Sequence, residues 1–253
     1  MALFAIGDLH LSFGVDKPMD KFGGGWKDYT EKIKTGFDVL NPDDVCVICG
    51  DVSWGMSLDE SLEDFHYIDK LPGKKIILKG NHDYWWNTAA KMKAFFEANN
   101  ITSIYILHNN CYSYGVSLQL KSEPFHRLQS GSDFEYSDKT AICGTRGWFF
   151  DDKLGLVQNE KVMAREVLRL RASLEAAAGF EEKICFFHYP PRYKNTVSYD
   201  IISIMNEFNV KRCYYGHLHG EGHKSATLGI AEGIDYEMVS ADFINFTPRK
   251  VLG

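Results

Sequence analysis

The segment KIILKGNHD, residues 75–83, starts as a buried strand and ends in polar side chains. The apolar run at 76–78 is typical of a strand that is covered on both faces. After Gly80 the chain presents an amide, an imidazole and a carboxylate in succession, which are Asn81, His82 and Asp83. Because ligands bind at the carboxyl ends of the strands in open α/β sheets, this order predicts that the strand delivers polar groups to a functional site.

Four other apolar segments carry aspartate or histidine at or just after their ends. These residues are Asp8 and His10 after 3–7, Asp51 after 45–50, His188 after 183–187, and His217 and His219 after 211–216. Amphipathic patterns typical of helices lie between the strands. The predicted helices cover residues 26–40, 57–70, 88–98, 159–179 and 199–208, and two further strands are predicted at 103–107 and 237–246. Strands that alternate with helices predict a layered α/β fold.

The residue types at the strand ends indicate metal binding. Asp8 and His10 are two positions apart, so in an extended chain their side chains face the same way, and the same holds for His217 and His219. Carboxylate, imidazole and amide oxygen suit Mn²⁺, Fe or Zn²⁺, and a set without cysteine argues against a structural zinc finger. Seven candidate ligands are too many for one tetrahedral ion, which favours two ions that share a carboxylate.

The composition is that of a globular protein with an acidic balance. Of the 253 residues, 45% are hydrophobic and 25% are charged, and the formal net charge is −6. An acidic surface weakens the case for nonspecific binding to nucleic acid or to a lipid surface. The N-terminal sequence lacks the basic region of a signal peptide, and no run approaches the ~20 apolar residues of a membrane span. We therefore expect a cytoplasmic protein whose six cysteines are buried free thiols, with no membrane partner.

This series of motifs resembles the calcineurin-like metallophosphoesterase superfamily, in its branch of predicted phosphohydrolases. The motifs follow the family's order between residues 7 and 219, so the resemblance covers nearly the whole chain. It implies a four-layer α-β-β-α sandwich, in which two packed β-sheets are flanked by helices. It also implies that one metal ion binds Asp8, His10, Asp51 and His219 and that the other binds Asp51, Asn81, His188 and His217, so that Asp51 bridges the two.

The resemblance further implies hydrolysis of a phosphoester by a dinuclear centre. A metal-bridging hydroxide would attack phosphorus in line, and His82 would stabilise the transition state or protonate the leaving oxygen. The expected substrate is small, a phosphodiester or a nucleotide-like ester, and Asp83 is expected to anchor its loop or to orient a ligand. The alternatives are a nuclease or a phosphoprotein phosphatase of the same superfamily, or a non-catalytic metal-binding scaffold.

The sequence departs from the phosphoprotein phosphatase branch after its second motif. Trp54 and Gly55 stand where that branch has an acid–arginine pair, so no arginine that binds phosphate is present at that place. Arg146 and Arg192 are therefore candidates for substrate binding, because arginine can fork onto two phosphate oxygens. We interpret residues 1–253 as a single domain, in which 116–140 form a loop or hairpin insertion that caps the site.

Overall fold

The computed structural model of the chain describes residues 1–115, 119–121, 139–149, 155–194 and 196–253. Within these residues, the strands form a five-stranded sheet, a seven-stranded sheet and a short hairpin. The first sheet has the order β14-β1-β2-β3-β4 and consists of β1 (Leu3–Ile6), β2 (Val45–Ile48), β3 (Lys74–Ile77), β4 (Ile104–Ile106) and β14 (Arg249–Leu252). Strands β1 to β4 are parallel and β14 is antiparallel to β1, so the first four strands end at the same edge.

The second sheet has the order β12-β13-β11-β8-β7-β5-β6. It consists of β5 (Cys111–Tyr114), β6 (Gln119–Lys121), β7 (Thr140–Thr145), β8 (Glu182–Phe187), β11 (Arg212–Tyr215), β12 (Gly229–Ala231) and β13 (Ile234–Met238). Its central strands β7, β8, β11 and β13 are parallel. The separate hairpin pairs β9 (Arg192–Tyr193) with β10 (Thr196–Val197).

Helices cover the outer face of each sheet. Buried residues of α1 (Tyr29–Phe37), α2 (Leu62–Lys70) and α3 (Ala89–Ala98) pack on the first sheet, and those of α4 (Leu156–Ala176) and α5 (Tyr199–Glu207) pack on the second. Along β1, Leu3 and Ala5 lie between the two sheets, whereas Phe4 and Ile6 face the helices. Strands β1 and β2 are thus apolar on both faces, as their uninterrupted apolar runs indicate. The predicted four-layer sandwich is confirmed.

The cysteines are buried and free, as predicted. Cys46 faces the helices and Cys49 lies between the sheets, so the two thiols of the CxxC spacing are on opposite faces of their sheet. Within the described ranges, no helix is long and apolar enough to cross a bilayer.

The prediction of a closing strand at 237–246 is wrong. Strand β13 ends at Met238, and residues 241–246 form turns in which Asn245 and Phe246 have the left-handed φ values of 51° and 58°. Apolar residues are buried in this irregular segment too, so apolar content alone does not distinguish it from a strand. The closing strand is instead β14, which begins at Arg249.

Most of the predicted insertion at 116–140 lies outside the described residues. The structure describes β6, residue 139 and the first residue of β7 within that range. The cap over the site and the single-domain interpretation stay predictions.

Candidate metal centre

The loops after β1, β2, β3, β8 and β11 meet at one edge of the sandwich and bring all seven predicted ligands together. The Asp8 N–H donates to the Gly50 carbonyl at 2.9 Å, which joins the loops after β1 and β2. The His217 N–H donates to the Asp8 carboxylate at 2.9 Å, which joins the two sheets. Asp8 and Asp51 are buried, at 0% and 2% exposure. Burial raises the pKa of Asp51 well above its ordinary value, and a positive charge between the two carboxylates would stabilise their ionised form.

Three of the ligands converge on the Nε2 atom of His188. Its Nδ1 lies 3.0 Å from the Cys49 carbonyl, which can only accept, so Nδ1 carries the proton and Nε2 has a free lone pair. Nε2 lies 2.6 Å from Asn81 Oδ1, 3.1 Å from His217 Nδ1 and 3.5 Å from Asp51 Oδ2. Oxygen and nitrogen atoms that face one another in this way form the donor set of a metal ion.

A second group converges in the same manner around His219. Its Nδ1 donates to Asp242 Oδ1 at 2.8 Å, so its Nε2 is the atom that could bind a metal ion. That Nε2 lies 3.4 Å from His10 Nε2 and 3.5 Å from Asp8 Oδ1. The sequence did not reveal Asp242, because it lies in the segment that was interpreted as a strand.

Asp51 connects the two groups. Its Oδ2 lies 3.7 Å from His10 Nε2 in one group and 3.5 Å from His188 Nε2 in the other. Its Oδ1 accepts the backbone N–H of His82 at 2.8 Å. This is the position that a carboxylate shared between two ions would need.

The protonation of the histidines fits metal ligation. Burial lowers the pKa of His217 to about 3 and holds the pKa values of His10 and His188 well below 6.5, so these imidazoles are neutral, which is the form that binds metal. Burial alone would lower the pKa of His219, but the carboxylates of Asp8 and Asp242 together outweigh it and raise that pKa to about 10. A positive charge is therefore strongly favoured next to Asp8. The residues present fit a metal ion in each group.

Two glycines allow the ligand loops to touch. A Cβ on Gly80 would lie 2.1 Å from Asp51 Oδ1, and a Cβ on Gly216 would lie 2.5 Å from Asp8 Oδ2. Real Cβ atoms do not come that close to an oxygen. The glycines that end β3 and β11 are therefore required for the approach of the two carboxylates.

Asp83 anchors the loops that carry the ligands. It is fully buried, and its Oδ2 accepts the N–H groups of Asp51 at 2.9 Å and Gly80 at 2.7 Å. Its Oδ1 accepts those of Val52 at 2.8 Å and Ser53 at 3.3 Å, and also the indole N–H of Trp85 at 3.0 Å. Five donors on one carboxylate fix the loop after β2 against the loop after β3. This is the anchoring role expected from the sequence.

His82 lies beside the groups under an indole ring. The ring of Trp54 is centred 4.4 Å from that of His82 and 4.9 Å from that of His10, and it is stacked on the latter. The ammonium of Lys17 lies 5.0 Å from the centre of the same indole. Trp54, which stands where the phosphoprotein phosphatase branch has its acid, thus holds the His82 ring by packing.

The two candidate arginines have different surroundings. Arg146 follows β7, and its carbonyl accepts the N–H of His188 at 3.1 Å, so its backbone adjoins the ligand loop after β8. Its guanidinium bonds to the buried Glu166 at 3.2 Å. Arg192, in the β9–β10 hairpin, forms an ion pair with Glu232. Of these two arginines, Arg146 has a direct backbone hydrogen bond to a predicted ligand.

Comparison with known proteins agrees with this geometry. The family model described as calcineurin-like phosphoesterase matches residues 1–221. The structure of a phosphopantetheinyl hydrolase from Mycobacterium tuberculosis matches with a TM-score of 0.52 and 15% identity, over 99% of this chain and 95% of that chain. A protein of unknown function from Aquifex aeolicus matches with a TM-score of 0.48 and 15% identity, over 98% of this chain and 95% of that chain. No curated protein matches the sequence significantly.

Proposed function

Because the chain belongs to the calcineurin-like phosphoesterase family and is therefore a metal-dependent phosphoester hydrolase, we propose that it acts through a dinuclear centre on a small substrate. The observation that carries the proposal is the pair of donor groups that share Asp51. The proposed ligands are Asp8, His10, Asp51 and His219 for one ion and Asp51, Asn81, His188 and His217 for the other. The mixed oxygen and nitrogen donors suit Mn²⁺, Fe or Zn²⁺.

Two ions at such a site supply Lewis acidity to the phosphoryl oxygens and lower the pKa of water. The protein provides the remaining functions. Asp83 and Gly80 fix the positions of Asp51 and of the loop that bears His82. The role we assign to the His82 imidazole, which packs against Trp54, is to stabilise the transition state or to protonate the leaving oxygen of an ester that is attacked in line. Arg146 is the arginine that we propose for substrate binding, since its backbone adjoins His188.

The acidic net charge favours a small substrate, a phosphodiester or a nucleotide-like ester, over a nucleic acid. Cytoplasmic location belongs to the same proposal, because buried free thiols persist in a reducing compartment.

The test compares turnover of an aryl phosphate monoester and the matching diester, in Mn²⁺ and in chelator. The wild type should hydrolyse at least one of them, and chelator should abolish the activity. His82→Ala should lower kcat by about 10²–10⁴-fold, the usual contribution of a positioned acid, while the metal content stays at two ions per chain. The control is His66→Ala on α2, which should retain wild-type turnover. Bound metal with turnover of neither ester would contradict the enzyme assignment and favour the scaffold.

A further inference from the structure

A recessed cavity of about 50 Å³ lies next to the metal centre and contains an excess of positive charge. Its walls include Lys79 after β3, Arg146 after β7, and Glu166 and Arg169 on α4. We call these four residues the cation pocket. Three cations and one carboxylate give the pocket a net charge of about +2, on a chain whose own net charge is −6.

The single carboxylate of the cation pocket can neutralise only one of its three positive charges. Glu166 is fully buried, and it accepts from the Thr145 hydroxyl at 2.6 Å, from Arg146 at 3.2 Å and from Arg169 at 2.6 Å. The Nε of Arg146 is buried, and no residue in the described part of the chain accepts its hydrogen bond. A buried donor without an acceptor is costly, so an anion in the cavity would be stabilised.

The size of the cavity fits one phosphoryl group. About 10–15 Å³ is needed to hold one water-sized group, so the cavity has room for about four such groups. A terminal phosphoryl group carries three oxygens and a charge close to −2, which matches both the room and the charge. A carboxylate offers two oxygens and a single charge, and would leave one cation uncompensated.

Two residues of the pocket are backbone neighbours of predicted ligands. Thr145 pairs with Phe187 in the parallel β7–β8 ladder, so Arg146 and His188 are neighbours on strands about 4.8 Å apart. Lys79 precedes Asn81 by two residues on the loop after β3. Two of the pocket's cations thus belong to segments that adjoin the ligands Asn81 and His188.

We propose that the cation pocket binds a second phosphoryl group of the substrate, so that the preferred substrate carries two phosphoryl groups close together, as in a nucleoside diphosphate. The inner phosphoryl group reacts at the metal centre, where the oxygen of water bonds to its phosphorus, the bond from that phosphorus to the nucleoside oxygen breaks, and the nucleoside leaves with a proton. The terminal phosphoryl group is anchored in the pocket and takes no part in bond making or breaking. This inference rests on the proposed function, because it needs the reacting group to lie at the metal centre.

The first test measures anion binding directly. Radiolabelled inorganic sulfate is dialysed to equilibrium against the metal-loaded full chain and three variants. Arg169→Met removes one cation of the pocket, Glu166→Gln removes its carboxylate, and Arg165→Met on the exposed side of the same helix is the control. Arg169→Met should weaken sulfate binding about tenfold, the loss of one charge-assisted hydrogen bond, and Glu166→Gln should strengthen it. Arg165→Met should bind as the wild type does.

The second test measures substrate choice. The ratio of kcat/KM for a nucleoside diphosphate to kcat/KM for the matching monophosphate should fall about tenfold in Arg169→Met relative to Arg165→Met. Equal sulfate affinities and equal ratios in these two variants would overturn the inference, as would a wild type that binds no sulfate. If the sulfate difference is found but aryl esters are not hydrolysed in the presence of metal, the proposed function fails and the pocket stands as an anion site.

Discussion

Replacing the fully buried Asp83 by asparagine is the sharpest test of how the site is held together. The carboxylate accepts two N–H groups on Oδ2 and three on Oδ1. Asparagine replaces one oxygen by an NH₂ group, so in either orientation at least two donors face another donor. Each buried donor left unsatisfied costs about 1–3 kcal/mol, which gives about 2–6 kcal/mol in total. That is a large part of the 5–15 kcal/mol by which a typical domain is stable.

The assay is urea unfolding of Asp83→Asn, with metal content measured on the same samples. The expected result is a lower midpoint at an unchanged slope, since the surface exposed on unfolding is the same. Metal content should fall as well, because the Asp51 N–H and the Gly80 N–H lose their acceptor. Asp59→Asn, an exposed carboxylate in the turn before α2, is the matched control. An Asp83→Asn midpoint equal to that of this control would refute the anchoring argument.

Three other perturbations have defined outcomes. Chelation should lower the thermal midpoint of the wild type, since an ion present at about 1,000 times its Kd stabilises the fold by about 4 kcal/mol. The midpoint of Asp51→Asn should not change when chelator is added. An unchanged wild-type midpoint would show that no stabilising ion binds. Gly216→Ala should contain less metal than the wild type when measured by mass spectrometry, because its Cβ would lie 2.5 Å from Asp8 Oδ2. Gly222→Ala should retain its metal, because the nearest atom to its Cβ is 3.7 Å away. Equal metal content in the two variants would contradict the steric argument. Trp54→Leu should lower kcat by up to about tenfold, because it removes ring packing against His82 worth about 0.5–1.5 kcal/mol. Trp54→Phe keeps an aromatic ring and should retain most of the wild-type rate. Equal rates for the two variants would show that the ring of residue 54 does not position His82.

Much of the fold could be predicted from the sequence because strands such as β1 and β2 are short, buried on both faces and followed by glycine. A run such as 45–48 followed by Gly50 and Asp51 locates a strand, its end and a ligand at once. The closing strand could not be located, because Ala241 and Phe246 are buried in turns and not in an extended chain. A buried segment is apolar whether or not it is regular, but the apolar residues recur at a fixed spacing only where the segment is a helix or a strand.

The parts of the site that the sequence did not reveal depend on contacts between distant segments. Asp242 reaches His219 across 23 positions from a turn that has no pattern of its own. Glu166 and Arg169 read as the polar side of an amphipathic helix, and only the packing of α4 beside β7 places them next to Arg146. An aspartate or histidine directly after a predicted strand can be recognised as a candidate ligand. The sequence does not show which face of a helix lines the cavity beside those ligands.

The backbone at the ligands explains why the site needs two sheets. Asp8, His10, Asp51 and His217 all have left-handed φ, at 60°, 47°, 49° and 74°. Such conformations cost of order 1–3 kcal/mol for each residue that is not glycine, and they persist only where the surroundings fix them. Both sheets fix the conformation of Asp8. Its N–H donates to the Gly50 carbonyl from its own sheet, and its carboxylate accepts the His217 N–H from the other sheet. A change that separates the sheets by even one side chain would release this strain and scatter the ligands. The loss of metal should therefore precede global unfolding when the core between the sheets is weakened.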